Sequence, residues 1–365
     1  MTLAMEKKPD PLATKHAGMH PDALHVNDAP VSIKVMDLRY GTNPTQTAAL
    51  YNPQSFLGSL KELRTGKGGP SQTNYEDILY AAISVGYFDA PTVAIMKHEN
   101  PSGFATQYAP EHLSETYRKA RDGDFRAAFG GTVFMNREVD MKTAETVTEL
   151  FTEVLVAPGF GEGVVERFKG SMRIFQYNEQ AFNSIPRYTG DTAQPEIRRL
   201  VDGSIIRADP LLTPIRTLND LQAHIVSQRR PAENELQDLL TGYRIRLRSN
   251  SIRLVKNGYT TGLGTGQQDR IMCLDGAVYK NKRLQELAQK ENRTRIADYS
   301  IAGSCLISDG FFPFTDSIEL CAELGIKAVL APHGGQNFDK VLAKANELGI
   351  AFVDLPGELR FFDHH

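Results

Sequence analysis

The phrase Glu-Leu-Gly-Ile occurs twice near the C-terminus, at residues 323–326 and 347–350, each time closing an amphipathic helical pattern and opening an apolar run. Glycine takes the left-handed conformation without steric cost, so Gly325 and Gly349 are read as helix C-caps. A chain punctuated in this way must stack helices on strands. The rhythm begins at Val31, and apolar runs at 92–96, 153–157, 328–331 and 350–353 alternate with helical patterns. Together they predict a layered α/β protein.

With 365 residues, 41% of them hydrophobic and 23% charged, the chain is long enough for two globular units with sizeable cores. The texture loosens between residues 187 and 231, where Thr-Gly-Asp-Thr at 189–192 is followed by Pro195, Pro210, Pro214 and Pro231. The expected division is an N-terminal arm over 1–30, a first unit over 31–190 and a second over 191–365. A hairpin is predicted at Asn257-Gly258, a dipeptide suited to a tight turn between the runs 252–255 and 260–263.

The formal charge of −3 leaves no overall basic footprint for nucleic acid or an anionic membrane, and neither is expected as a partner. Any anionic ligand must be held by a local cluster. Cys273, Cys305 and Cys321 are odd in number and lack CxxC spacing, so neither a disulfide framework nor a thiolate zinc site is suggested. A reducing cytosol fits this usage. The first thirty residues show no apolar core of a secretory signal, and no stretch approaches the ~20 apolar residues of a membrane span. His16, His20 and His25 are read as solvated side chains of the arm rather than a metal tract.

Lys97-His98 follows the apolar run 92–96 and leads into Glu99-Asn-Pro-Ser-Gly103. The pair is either solvated at a strand end or a base with a cation beside it. A neighbouring ammonium favours the unprotonated imidazole that general-base catalysis requires. Asn100-Pro-Ser-Gly103 reads as a turn, an ordinary surface one or one that aims backbone N–H groups at an anion. Arg39-Tyr40 before Gly41 offers a guanidinium and a phenol to a phosphate and a flat base, or else a surface ion pair. Arg244, Arg246 and Arg248 alternate at strand period with Tyr243, Ile245 and Leu247, giving one basic face that is read as solvated. Phe311-Phe-Pro-Phe314 is either core or a wall against which a heterocycle stacks.

Two glycine-rich stretches fail as nucleotide loops. Gly262-Leu-Gly-Thr-Gly-Gln-Gln268 has GxGxG spacing and follows a hairpin rather than opening a βαβ unit. In Thr65-Gly-Lys-Gly-Gly-Pro-Ser71, Gly68 stands where Ser or Thr would hold magnesium.

Taken with Leu38-Arg-Tyr-Gly-Thr-Asn-Pro44, Ser249-Asn-Ser251, Gly264-Thr-Gly-Gln-Gln-Asp-Arg270 and Ser308-Asp-Gly-Phe-Phe-Pro-Phe314, these motifs resemble a known family. It is the transformylase half of the bifunctional purine-biosynthesis enzyme, aminoimidazole-carboxamide ribonucleotide (AICAR) transformylase/IMP cyclohydrolase. The likeness runs from about Val31 to His365 and includes Phe129-Gly-Gly131, Asn136-Arg137, Glu153-Val-Leu-Val-Ala-Pro-Gly159 and the Arg360-Phe-Phe tail. It implies two cytidine-deaminase-like α/β subdomains, a cytoplasmic homodimer with active sites at the interface, and formyl transfer from 10-formyltetrahydrofolate to AICAR. By the same resemblance Lys97 and His98 form the catalytic pair. Arg39, Tyr40, Gly130, Glu153, Asn250 and Arg360 contact AICAR, while Arg270, Phe311, Phe312, Pro313 and Asp316 face the folate. No metal is expected, since the deaminase zinc signature H-x-E with P-C-x-x-C is absent.

Three departures qualify the likeness. About thirty residues precede it, too few for a cyclohydrolase domain, so ring closure is expected from a separate protein. The family's Asn-Pro-His-Gln reads Asn43-Pro-Thr-Gln46, which keeps hydrogen bonding at Thr45 but loses a titratable ring. The pterin-side segment reads Pro332-His-Gly-Gly-Gln336, so its folate contacts do not transfer.

Overall fold

A computed structural model describes residues 18–26, 29–359 and 363–364. Among these residues eleven strands form one mixed sheet. From edge to edge they are Ala351–Leu355, Ala328–Pro332, Cys305–Ser308, Ile252–Lys256, Tyr259–Gly264, Asn100–Thr106, Thr92–Lys97, Thr132–Met135, Val154–Ala157, Arg173–Gln176 and Lys61–Arg64. The first three run parallel, as do Thr132–Met135, Val154–Ala157 and Arg173–Gln176, and antiparallel pairs fill the centre. Ala23–Val26, part of the expected arm, pairs with Ala29–Asp37 in a separate three-stranded sheet.

Side chains alternate across a strand, and that alternation builds the layers. Ala94 and Met96 pack under the helix Gln72–Val85, whereas Val93 and Ile95 face Tyr117 and Ala120 of Leu113–Gly123. In the other half, Ile252 and Leu254 meet the helix Arg270–Lys290, and Val255 meets Glu233–Arg244. The chain is thus a mixed α/β protein with a large sheet between helical layers. Among the described residues no helix is long and apolar enough to cross a membrane.

The Asn257-Gly258 hairpin joins Ile252–Lys256 to Tyr259–Gly264 with both turn residues left-handed, at φ 52° and 81°. Gly325 and Gly349 are left-handed at φ 72° and 68° after their helices. Two expectations are corrected. Asn100-Pro-Ser-Gly103 is strand, and the turn lies one step earlier, at His98-Glu99. Gly103 serves packing instead, because a Cβ there would sit 1.8 Å from the Ala120 carbonyl oxygen. Nor is 243–248 a basic strand: Tyr243 and Arg244 end a helix, although burial does alternate from Tyr243 through Arg248. Arg244 lies over the Phe88 ring and Arg246 donates to the Tyr87 hydroxyl at 3.1 Å, so that face is partly packed.

Candidate active site

The helix Gln72–Val85 begins with a reciprocal cap, in which Ser71 Oγ accepts from the Asn74 N–H and Asn74 Oδ1 accepts from the Ser71 N–H. Three residues apart on one face, Asn74 and Asp77 then reach out of the helix. Asn74 Nδ2 donates to Glu153 Oε1 at 3.4 Å. Asp77 accepts the Glu99 N–H at 2.7 Å and the Thr132 hydroxyl at 3.4 Å. Burial pushes the Asp77 carboxyl up to about 7, against the pull of those hydrogen bonds.

That bond fixes the turn carrying the candidate base. Thr92–Lys97 and Asn100–Thr106 pair as a hairpin whose two loop residues, His98 and Glu99, are left-handed at φ 55° and 65°. Neither is glycine, so each costs about 1–2 kcal/mol, which the Asp77 bond and the flanking ladder must offset. The result presents the His98 ring to solvent at the tip. Lys97 instead donates its ammonium to the Phe129 carbonyl at 2.7 Å. Phe129 precedes Gly130, left-handed at φ 72°, whose N–H bonds Phe151 O, and the Glu153 N–H bonds Gly131 O at 3.1 Å.

Glu153 and Arg173 pair at 2.9 Å where their strands start, and Arg173 also donates to the Lys67 and Gly69 carbonyls. Arg39 and Tyr40 join them through backbone bonds, Arg39 N–H to Pro70 O and Gln72 N–H to Tyr40 O. Burial holds the Arg173 guanidinium below its usual range; Glu153 opposes this and the Arg39 charge adds to it. Two guanidiniums that disfavour each other suit an anion placed between them.

A second group forms a cavity of about 450 Å³, lined among others by Asn250, Arg270, Phe311, Pro313, Phe314 and Asp316. Arg270 opens its helix and pairs with the fully buried Asp309 at 2.9 Å. Asp309 also takes the Ser249 hydroxyl at 2.6 Å and the Ser251 N–H at 3.0 Å. A Cβ on Gly310 would lie 1.6 Å from Arg270 Nη2, and one on Gly334 would lie 2.6 Å from Phe311 Cδ1. The segment Pro332-His-Gly-Gly-Gln336 therefore backs the Phe311 ring. Phe312 departs from its neighbours and packs in the core with Ile252 and Leu254. Asn250 Nδ2 is held by the Gln267 carbonyl at 2.8 Å.

The two groups occupy one end of the sheet. Lys97 pairs with Asn100, Tyr259 with Ala105, Ile252 with Gly264 and Ser308 with Ile252, which carries that end across the molecule. Arg248 bridges them directly, giving its N–H to Asn100 Oδ1 at 2.9 Å and its guanidinium to Glu99 at 3.2 Å. Arg360 lies outside the described residues. Asn74, Asp77 and Arg173 were not among the residues singled out from sequence, and Asp309 stood there only inside the motif 308–314, with no role of its own. The signal available was polar side chains on apolar stripes, as with Asn74 and Asp77 beside Ile78 and Ala81. Glycines 262 and 264 belong to the hairpin and its packing, since a Cβ on Gly264 would lie 2.1 Å from the Cys273 carbonyl.

Fold and site together define an α/β protein with a two-part polar crevice, one part guanidinium-rich and the other walled by aromatic rings. The chain belongs to the AICARFT/IMPCHase bienzyme family, whose model matches residues 14–280. It is 35% identical over 324 residues to the bifunctional purine biosynthesis protein PurH of Persephonella marina, covering 87% of this chain and 57% of that protein. With PurH of Neisseria meningitidis it shares 35% identity over 340 residues, 91% of this chain and 59% of the relative. The chain thus spans less than two thirds of the length of these relatives.

Proposed function

We propose that this chain transfers the formyl group of 10-formyltetrahydrofolate to the 5-amino group of AICAR, giving 5-formamido-AICAR. The observation that carries the reading is the Arg248 bridge, which joins the His98 turn to the loop bearing Asn250. A nucleotide beside Arg39, Tyr40 and Glu153 and a folate against Phe311, Pro313 and Asp316 would then meet near one base. Orientation of two bound substrates supplies much of such a rate enhancement.

In this reading the 5-amino nitrogen attacks the formyl carbon and a C–N bond forms. His98 takes the proton leaving that nitrogen. Lys97 sits beside it to stabilise the charge developing on the formyl oxygen. The bond from the formyl carbon to folate N10 then breaks, N10 receives a proton, and tetrahydrofolate departs. No step calls for a metal ion. On the same reading the two halves, divided near residue 190, are cytidine-deaminase-like subdomains of a cytoplasmic homodimer.

The test mixes purified protein with AICAR and 10-formyltetrahydrofolate, follows tetrahydrofolate spectrally and identifies the nucleotide product by mass. Formylated AICAR is expected, and His98→Ala should abolish turnover while retaining both ligands. Undiminished turnover in that variant rules out the base assignment. Binding of both ligands by the unaltered protein without turnover makes it a binder rather than an enzyme.

A further inference from the structure

Arg253 heads the fully buried side chains, and its ion-pair partner Asp363 is equally withdrawn from water. The guanidinium donates to the Ile245 carbonyl at 2.6 Å and to the Ser251 hydroxyl at 2.8 Å, as well as to the Asp363 carboxylate. Apolar residues of similar volume commonly stabilise a fold as well as a buried ion pair does, because desolvation opposes the attraction. The neighbours of this pair point to a role beyond stability. Asp363 accepts the Ser251 hydroxyl at 2.5 Å and directs its N–H to Asp309 at 3.4 Å, while the next carbonyl, of His364, takes the Ser249 N–H at 3.0 Å. Asp309 in turn holds Arg270, Ser249 and Ser251, and Arg248 holds Glu99 and Asn100. Residues 245–251 run between the two parts of the crevice and are braced from behind by this one pair.

We propose that Arg253 and Asp363 are positioning residues, which set the segment 245–251 so that Asn250 and Arg270 face the His98 turn at the spacing the two substrates require. The catalytic consequence rests on the formyl-transfer reading; the geometric one rests on the bonds themselves. Neither side chain reaches the crevice, so both act through Ser251, Asp309 and Arg248.

The deciding variant is the double replacement Arg253→Met with Asp363→Leu. It exchanges the pair for apolar volume, and so keeps the fold, while depriving the Ser251 hydroxyl and the Ile245 carbonyl of their partners. The single variants Arg253→Met and Asp363→Leu, each leaving one charge buried alone, should lower Tm sharply or fail to fold. The double variant should be more stable than either single variant yet keep a kcat about 100-fold down, the loss that a displacement of about 1 Å produces. Amide exchange at Arg248, Ser249 and Ser251 reads the brace without any substrate and should quicken about 10-fold in the double variant. A double variant with parent Tm, parent kcat and parent exchange overturns the proposal. If the parent protein itself forms no product, the formyl-transfer reading fails, and the exchange rates alone decide whether the pair positions the segment.

Discussion

Replacing Asp77 by asparagine should make the protein more stable at pH 8 and leave it nearly unchanged at pH 4. Asp77 is 5% exposed, and burial moves its carboxyl from the ordinary 3.8 to about 7. At roughly 1.4 kcal/mol per tenfold change in proton affinity, that shift corresponds to about 4 kcal/mol as an upper bound. The folded protein binds this proton more tightly than the unfolded chain. Its contribution is therefore full below about pH 4, is lost as pH rises to about 7, and stays absent above that. The carboxamide introduced by Asp77→Asn cannot ionise and still offers an oxygen to the Glu99 N–H, so the variant escapes the penalty and keeps the turn. Urea midpoints of both proteins from pH 4 to 8 give the difference directly, free of other titrating groups they share. It should grow by several kcal/mol across the range, which for a chain of this length amounts to a Tm difference of about 5 °C at pH 8. A difference that stays constant with pH, whatever its size, refutes the assignment of a buried, reluctant carboxylate at this position.

Gly103→Ala places a Cβ 1.8 Å from backbone oxygen of the helix Leu113–Gly123 and should cost at least about 1–3 kcal/mol in urea unfolding, so an unmoved midpoint contradicts the packing. Phe312→Ala should cost about 3–5 kcal/mol of stability, whereas Phe311→Ala, at a residue 40% exposed, should cost under about 1 kcal/mol and raise KM for the folate. The opposite pattern reverses which ring faces the crevice. Gly310→Ala displaces the end of the Arg270 side chain from the buried Asp309 carboxylate, so folate KM should rise about 10-fold or more and Tm should fall; a parent KM removes Arg270 from folate binding.

The layering was legible because it depends on local signals. Helix-capping glycines, apolar runs and the Asn-Gly hairpin each act within a few residues, and all three recur in the structure. The crevice was legible in part: Asn250, Arg270, Phe311, Pro313 and Asp316 line one cavity because each precedes or follows a strand or opens a helix at the same sheet end. What sequence could not supply was partnership across the chain. Pro101 and Gly103 look like turn residues, yet their positions are decided by a ladder and by Ala120, seventeen residues beyond Gly103. Phe311 and Phe312 are chemically alike and adjacent, and only the packing of Ile252 and Leu254 separates core from wall. Asp77 acquires its meaning from Glu99 and Thr132, and Arg173 from Glu153 and two distant carbonyls.

The two halves of the sheet meet between Asn100–Thr106 and Tyr259–Gly264, and there the register consists of one pair, Tyr259 with Ala105. Beyond it the Phe104 N–H turns to the Thr260 hydroxyl at 3.0 Å, and toward the crevice the Arg248 side chain takes over from backbone. The joint in the middle combines the Thr106 N–H to Gly258 carbonyl bond at 2.9 Å and the packing of Tyr259 and Tyr299 against Tyr117 with the Thr260 hydroxyl and the Arg248 guanidinium. A designer wishing to alter the angle between the halves would start from the side chains of Thr260 and Arg248, whose exchange removes no backbone ladder bond.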